Sequence, residues 1–218
     1  YIYLSRGFHP ILGYLSSWIS LIVGFAAPIA LAALAMSKYL QIFGFEFGKV
    51  FAIVVIILIT ISQSFSLKTS SDFQNIFTLL KVLFVLSLIG LGLYLAPNIT
   101  NNINLNNGWI KEVQMPEFAS SLVFVTFAYT GWNSASYIVG EIKNPIKNLP
   151  KALIIGTLFV TVVYVLMNYV FLKHATITSL INQENVASIA ANNFLGMQGS
   201  KWVSFFIAAQ LVATISGY

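Results

Sequence analysis

Six apolar stretches, at about residues 11–36, 50–67, 73–96, 118–139, 152–172 and 202–218, contain a single charged side chain, Lys81. A bilayer core of about 30 Å is crossed by roughly 20 apolar residues at 1.5 Å rise per residue. Lipid offers no partner to a backbone N–H or C=O, so segments of this kind must close their own hydrogen bonds as helices. The pattern predicts an all-α polytopic membrane protein, read as one transmembrane domain over residues 1–218.

Composition excludes the main alternatives. With 58% hydrophobic and 8% charged residues, the chain has too few charges to cover a water-soluble domain. The net charge of +5 does not point to nucleic acid, because no basic run forms and the lysines flank apolar spans. There is no cysteine, which removes disulfides, thiol catalysis and thiolate metal sites within this stretch. His9 and His174 have no partner at metal-ligand spacing, so no metal and no cofactor is expected. No catalytic triad, phosphate loop or carboxylate pair is present, which argues against an enzyme. The chain starts at Tyr1, and its last span runs to Tyr218 without a polar flank, so truncation at both ends is expected. Basic residues tie at five a side, Arg6, Lys68, Lys143, Lys147 and Lys151 against Lys38, Lys49, Lys111, Lys173 and Lys201. Their greater density in the short loops of the first set leans weakly toward an orientation with the side preceding the first span inside.

Between the spans, residues 97–116 are rich in Asn and read as a loop, whereas 173–201 has room for a short surface helix around 184–194. The fourth span departs from a plain anchor. Tyr129-Thr130-Gly131 interrupts it with a small polar step, and Gly131 lowers the cost of unwinding. Freed backbone at bilayer depth survives only against protein, water or a ligand, and broken helices near the midplane mark transporter sites. Exposed carbonyls of one half-helix suit an ammonium group, and the N–H groups of the other suit a carboxylate. The competing reading is a Gly at a close helix–helix contact.

Lys81 is the second candidate. An intramembrane cation is costly and functional by default, and no Asp or Glu lies in any span to pair with it. It must face a polar cavity, bond backbone carbonyls, or lose its proton to desolvation; the alternative is snorkelling to the nearer interface. Glu141, opening the loop Glu141-Ile142-Lys143-Asn144-Pro145, is either part of a gate at the inner face or a solvated loop residue. Pro145 is expected to end one helix, and Pro150 to open the next. Asn133 follows Trp132 and could bond a ligand or neighbouring backbone.

These residues resemble a known family. Phe127-Ala128-Tyr129-Thr130-Gly131-Trp132-Asn133, then Glu141-Ile142-Lys143-Asn144-Pro145 and Lys147-Asn148-Leu149-Pro150, are similar to the sixth helix and following loop of amino acid permeases. The superfamily is that of amino acid-polyamine-organocation transporters, in its L-type amino acid transporter branch with bacterial relatives. Tyr1-Ile2-Tyr3-Leu4 with Gly13-Tyr14-Leu15 and Trp18 resembles the approach to helix three, and Phe77-Thr78-Leu79-Leu80-Lys81-Val82 resembles helix five. The resemblance implies helices three to eight of about twelve in an inverted-repeat, LeuT-like fold. It also implies amino acid contacts from Phe127, Ala128, Thr130 and Gly131, with Trp132 and Asn133 nearby. Lys81 would stand where sodium-coupled relatives hold an ion, and Thr214 and Ser216 would lie near that region. Animal light chains of the branch carry a Cys in the loop corresponding to residues 38–49, through which a glycoprotein partner is bonded. Its absence here implies a stand-alone permease with no disulfide-linked glycoprotein partner.

The expected function is secondary active transport of an amino acid across a plasma or bacterial inner membrane by alternating access. Protons or exchange would drive it, and the partners would be the amino acid, the lipid bilayer and protons. The alternative is a permease-like sensor that binds an amino acid without moving it.

Overall fold

The computed structural model describes residues 2–44, 48–63, 67–96, 109–131, 135 and 139–217, with backbone alone at 62, 63, 67–73 and 109. Among the described residues every regular element is helical. In chain order these are α1 (Ile2–Gly7), α2 (Pro10–Ile19), α3 (Ala27–Leu40), α4 (Gly48–Gln63), α5 (Leu67–Tyr94), α6 (Trp109–Val113), α7 (Pro116–Ala128), α8 (Pro145–His174), α9 (Ile177–Leu180) and α10 (Val186–Gly217). By length and apolarity, Pro10–Phe43, Gln74–Tyr94 and Pro145–His174 can cross a membrane, while Gly48–Ile61 and Pro116–Ala128 are shorter apolar helices.

Proline explains the first long rod. Pro28, at the start of α3, has no N–H to give the preceding turn. The turns before it widen into a π segment, Ser20–Ala26, where Ala27 N–H reaches back five residues to the Ile22 carbonyl. The rod ends in a 3-10 turn, Gln41–Phe43, stopped by Gly44 at φ 83°. Hydroxyls along the apolar helices fold back onto their own backbone. Ser17 donates to the Gly13 carbonyl at 3.0 Å, Thr60 to Ile56 at 2.8 Å and Ser87 to Phe84 at 2.7 Å. A hydroxyl satisfied in this way can be carried into lipid at low cost.

The chain forms two compact units, Tyr1–Ile99 with Val170–Tyr218, and Thr100–Tyr169. In the first, α3, α4 and α10 meet on small side chains. Ala32, Ala33, Ala52 and Ile215 are buried together, with Ile29, Val55, Ile56, Ile59 and Leu211 packed against them. Small residues allow close backbone approach where lipid provides no hydrophobic drive. Phe84 of α5 lies against Phe206 of α10 with ring centroids 5.5 Å apart.

The end of α5 is capped by residues that follow it by some eighty positions. Lys173 Nζ donates to the carbonyls of Gly92, Leu93 and Leu95 at 3.1, 2.8 and 3.0 Å. The fully buried His174 donates through Nε2 to Gly92 at 2.6 Å. The Lys173 cation and the His174 donor meet the last carbonyls of a helix, which have no intrahelical partner.

The region 184–194 is not a surface helix. Its α-helix begins at Val186, and Ala187, Ser188, Ala190 and Ala191 are buried. Gly196, at φ 72°, turns the chain before the rest of α10. Ser200 Oγ donates to the Ser188 carbonyl at 2.8 Å, Ser204 Oγ donates to Ser188 Oγ at 2.9 Å, and the Ser188 and Ser200 hydroxyls lie 2.8 Å apart. Alanine and serine here make a smooth face that packs tightly, although their hydropathy resembles that of a loop.

Candidate functional site

The helix α7 has 13 residues, so at 1.5 Å per residue it spans about 20 Å, two-thirds of a hydrocarbon core. It stops at Ala128, well short of residue 139. Tyr129 leaves helical geometry at φ −97°, ψ 8°, and Gly131 sits at φ 103°, a conformation that strains any residue with a Cβ. Beyond it Ala135 is in 3-10 conformation, and a 3-10 segment follows at Val139–Glu141. Trp132 and Asn133 lie outside the described residues.

The carbonyls at this helix end are held in place. Tyr129 N–H donates to Thr126 and Thr130 N–H to Phe127, each at 3.1 Å. Thr130 Oγ1 adds a 2.7 Å bond to the Phe127 carbonyl. The Ala128 carbonyl accepts from the hydroxyl of Tyr164, on α8, at 3.2 Å. Tyr129 in turn donates its hydroxyl to Thr161 Oγ1 at 3.0 Å, and Thr161 donates to the Thr157 carbonyl at 2.8 Å. The two tyrosine rings meet edge to face, 5.5 Å between centroids at 79°. Phe127, Ala128, Thr130 and Gly131 themselves are exposed. Each carbonyl oxygen has two lone pairs, so Ala128 can accept a second donor without losing Tyr164. Sequence reading missed Tyr164 and Thr161. Their place on an apolar helix more than thirty residues beyond the break gives no local signal.

Glu141 is exposed at the end of its 3-10 turn. The following loop turns through Asn144 at φ 50°, whose carbonyl accepts from the N–H groups of Lys147 and Asn148 at 3.1 and 3.0 Å. Asn148 Nδ2 ties the turn to the Lys143 carbonyl at 2.5 Å. The helix therefore opens at Pro145, and Pro150 lies inside it. Pro145 suits the first helical position because its missing N–H is unpaired there in any helix. The carbonyl that Pro150 cannot serve, that of Ile146, lies within the exposed first turns.

Lys81 sits in the other unit. Its Nζ donates to Thr214 Oγ1 on α10 at 2.9 Å, and Thr214 donates to the Gln210 carbonyl at 3.1 Å. The cation in the apolar stretch Gln74–Tyr94 of α5 thus has a neutral hydroxyl as its partner. Among the described residues no group of three or more His, Asp or Glu side chains gathers as a metal site would require.

The family model for amino acid permeases matches residues 1–218. The chain is 35% identical to the b(0,+)-type amino acid transporter 1 of Mus musculus, over all of this chain and 46% of that protein. It is 26% identical to the serine/threonine exchanger of Bacillus subtilis (strain 168), over all of this chain and 49% of that protein. It is 28% identical to the human large neutral amino acids transporter small subunit 2, over 93% of this chain and 39% of that protein. The chain spans about half the length of the curated relatives it matches. These relatives are named as transporters, not as enzymes, and with the apolar helices they make this a multi-pass membrane protein. The chain belongs to the amino acid permease family.

Proposed function

We propose that this chain forms part of a secondary transporter that carries a neutral amino acid across the cell membrane by alternating access. The observation that carries the reading is the stop of α7 at Ala128 and the left-handed Gly131 beyond it, inside a segment without charge. A helix end at that depth presents carbonyl oxygens that can take a substrate ammonium group. Ala128 supplies a backbone acceptor, Phe127 the neighbouring backbone that Thr130 ties down, Thr130 a hydroxyl oxygen, and Gly131 the space for close approach. Tyr164 fixes the Ala128 carbonyl. Trp132 and Asn133 are assigned to the same substrate site from the sequence motif alone.

The described residues of the break carry no charged side chain, which favours a zwitterion with a neutral side chain. The names of the relatives, among them serine/threonine and large neutral amino acid transporters, support the same class. Lys81, bonded to Thr214, is the proton-responsive group and stands in for a coupling cation. Glu141 is a gate residue at the start of the loop before α8. A disulfide to a partner subunit cannot run through residues of this chain, which has no cysteine.

The test is counterflow of a panel of radiolabelled amino acids into proteoliposomes holding the full-length protein. Internal unlabelled neutral amino acid should accelerate uptake of its labelled counterpart. Binding without trans-stimulated uptake would instead make the protein a sensor.

A further inference from the structure

Gln210 is a buried amide, 9% exposed, on the apolar helix α10. Its hydrogen-bond surroundings fix its orientation. The orientation assigned to the amide on that ground sets Nε2 against the Phe77 carbonyl and Oε1 against the Lys81 N–H, each at 3.2 Å, the arrangement in which both atoms are paired. Phe77 and Lys81 are four residues apart on α5, so this carbonyl and this N–H form one rung of its hydrogen-bond ladder. The amide therefore spans the rung that carries Lys81. The backbone carbonyl of the same Gln210 accepts from Thr214 Oγ1 at 3.1 Å, and Thr214 Oγ1 accepts from Lys81 Nζ at 2.9 Å. One residue thus holds Lys81 at both ends: the main chain through its side chain, and the ammonium group through its carbonyl and Thr214.

We infer that Gln210 is a positioning residue for Lys81, fixing the turn from which the ammonium group reaches Thr214. This rests on the reading of Lys81 as the coupling group and adds the element that sets its reach. The requirement is specific. Bridging the rung takes one donor and one acceptor on a side chain of this length. Glutamate lacks the donor, methionine lacks both, and asparagine is a methylene short. Other ionisable groups near this contact are few. The helix packed against α5 here, α10, has Lys201 as its titratable side chain among the described residues, nine positions from Gln210 and so about 13.5 Å along the axis. On α5 itself the nearest described one is Tyr94, thirteen residues away, and Asp72 lies outside the described side chains.

The experiment compares uptake against external pH in proteoliposomes of the full-length protein, for wild type, Gln210→Met, Gln210→Glu, Lys81→Ala and the double variant Lys81→Ala/Gln210→Met. Loss of these hydrogen bonds should cut proton stimulation of net uptake in Gln210→Met by about 5- to 10-fold, towards the level of Lys81→Ala. Exchange at fixed pH should stay measurable. In the double variant Gln210→Met should add nothing to Lys81→Ala. Gln210→Glu keeps the volume and the acceptor, and should displace the pH profile rather than flatten it; it also serves if the Met variant does not fold. A wild-type pH profile in Gln210→Met, or in Gln210→Glu if only that variant folds, overturns the inference and leaves Lys81 untouched. So does a Gln210→Met effect that persists undiminished in the Lys81→Ala background, since that is a structural role. A wild type that exchanges amino acids with a flat pH profile overturns the coupling role of Lys81, and this inference with it.

Discussion

Tyr164 shows how a single hydroxyl shapes the break. Its bond to the Ala128 carbonyl, 3.2 Å, fixes the direction of an acceptor that would otherwise turn with the frayed helix end. The net value of such a bond is about 0.5–1.5 kcal/mol. Tyr164→Phe in the full-length protein should therefore weaken the apparent affinity for substrate by about 2- to 10-fold, with folding retained. Saturation of uptake at wild-type concentrations would show that Ala128 needs no such support. Gly131 works through its backbone. Its φ of 103° costs a residue with a Cβ of order 1–3 kcal/mol, and no neighbouring atom fills the space where a Cβ would stand. A side chain added there meets strain and occupies the room a ligand would need, without a clash to destabilise the rest of the fold.

At the scale of elements, the contact between α5 and the end of α8 leaves no room for an added methyl group. A Cβ on Gly92 would overlap the γ carbon of Val170, which is fully buried and, being β-branched, has little freedom to turn. Gly92→Ala should lower stability by about 1–3 kcal/mol, read as a drop in apparent Tm of the detergent-solubilised protein. An unchanged Tm would contradict the close approach. Ser188→Ala removes the acceptor of the Ser204 hydroxyl and one partner of Ser200 within a dry contact. Ser200 keeps its bond to the Ser188 carbonyl, so the cost should be about 1–3 kcal/mol for the Ser204 hydroxyl left unpaired, by the same measurement. Neither contact was legible in the sequence. Glycine, alanine and serine carry weak hydropathy, so residues 184–194 read as a surface helix when they are a packed one. The break was legible, because a Gly beside two polar residues in an uncharged span is a local signal. Lys81 stood out in the same way, as the lone charge of its apolar span. Tyr164, Thr161 and Gln210 were not, because each matters through a contact with a distant helix, and its own surroundings are ordinary apolar sequence.

At the scale of the whole molecule, the proposed transport cycle draws on two features: a helix end proposed to hold a zwitterion, and a cation whose partner is a neutral hydroxyl. If Lys81 provides coupling, Lys81→Ala should leave exchange measurable and remove the dependence of net uptake on external pH. Identical pH profiles for wild type and variant would reduce Lys81 to an anchor in the membrane. The most direct test of the central claim, that the amino acid is held at the break, is counterflow measured side by side for wild type and Gly131→Leu in the full-length protein, at matched insertion and monodispersity. The account predicts trans-stimulated uptake of neutral amino acid in wild type and its loss in Gly131→Leu. Undiminished counterflow in a well-folded Gly131→Leu protein would contradict it.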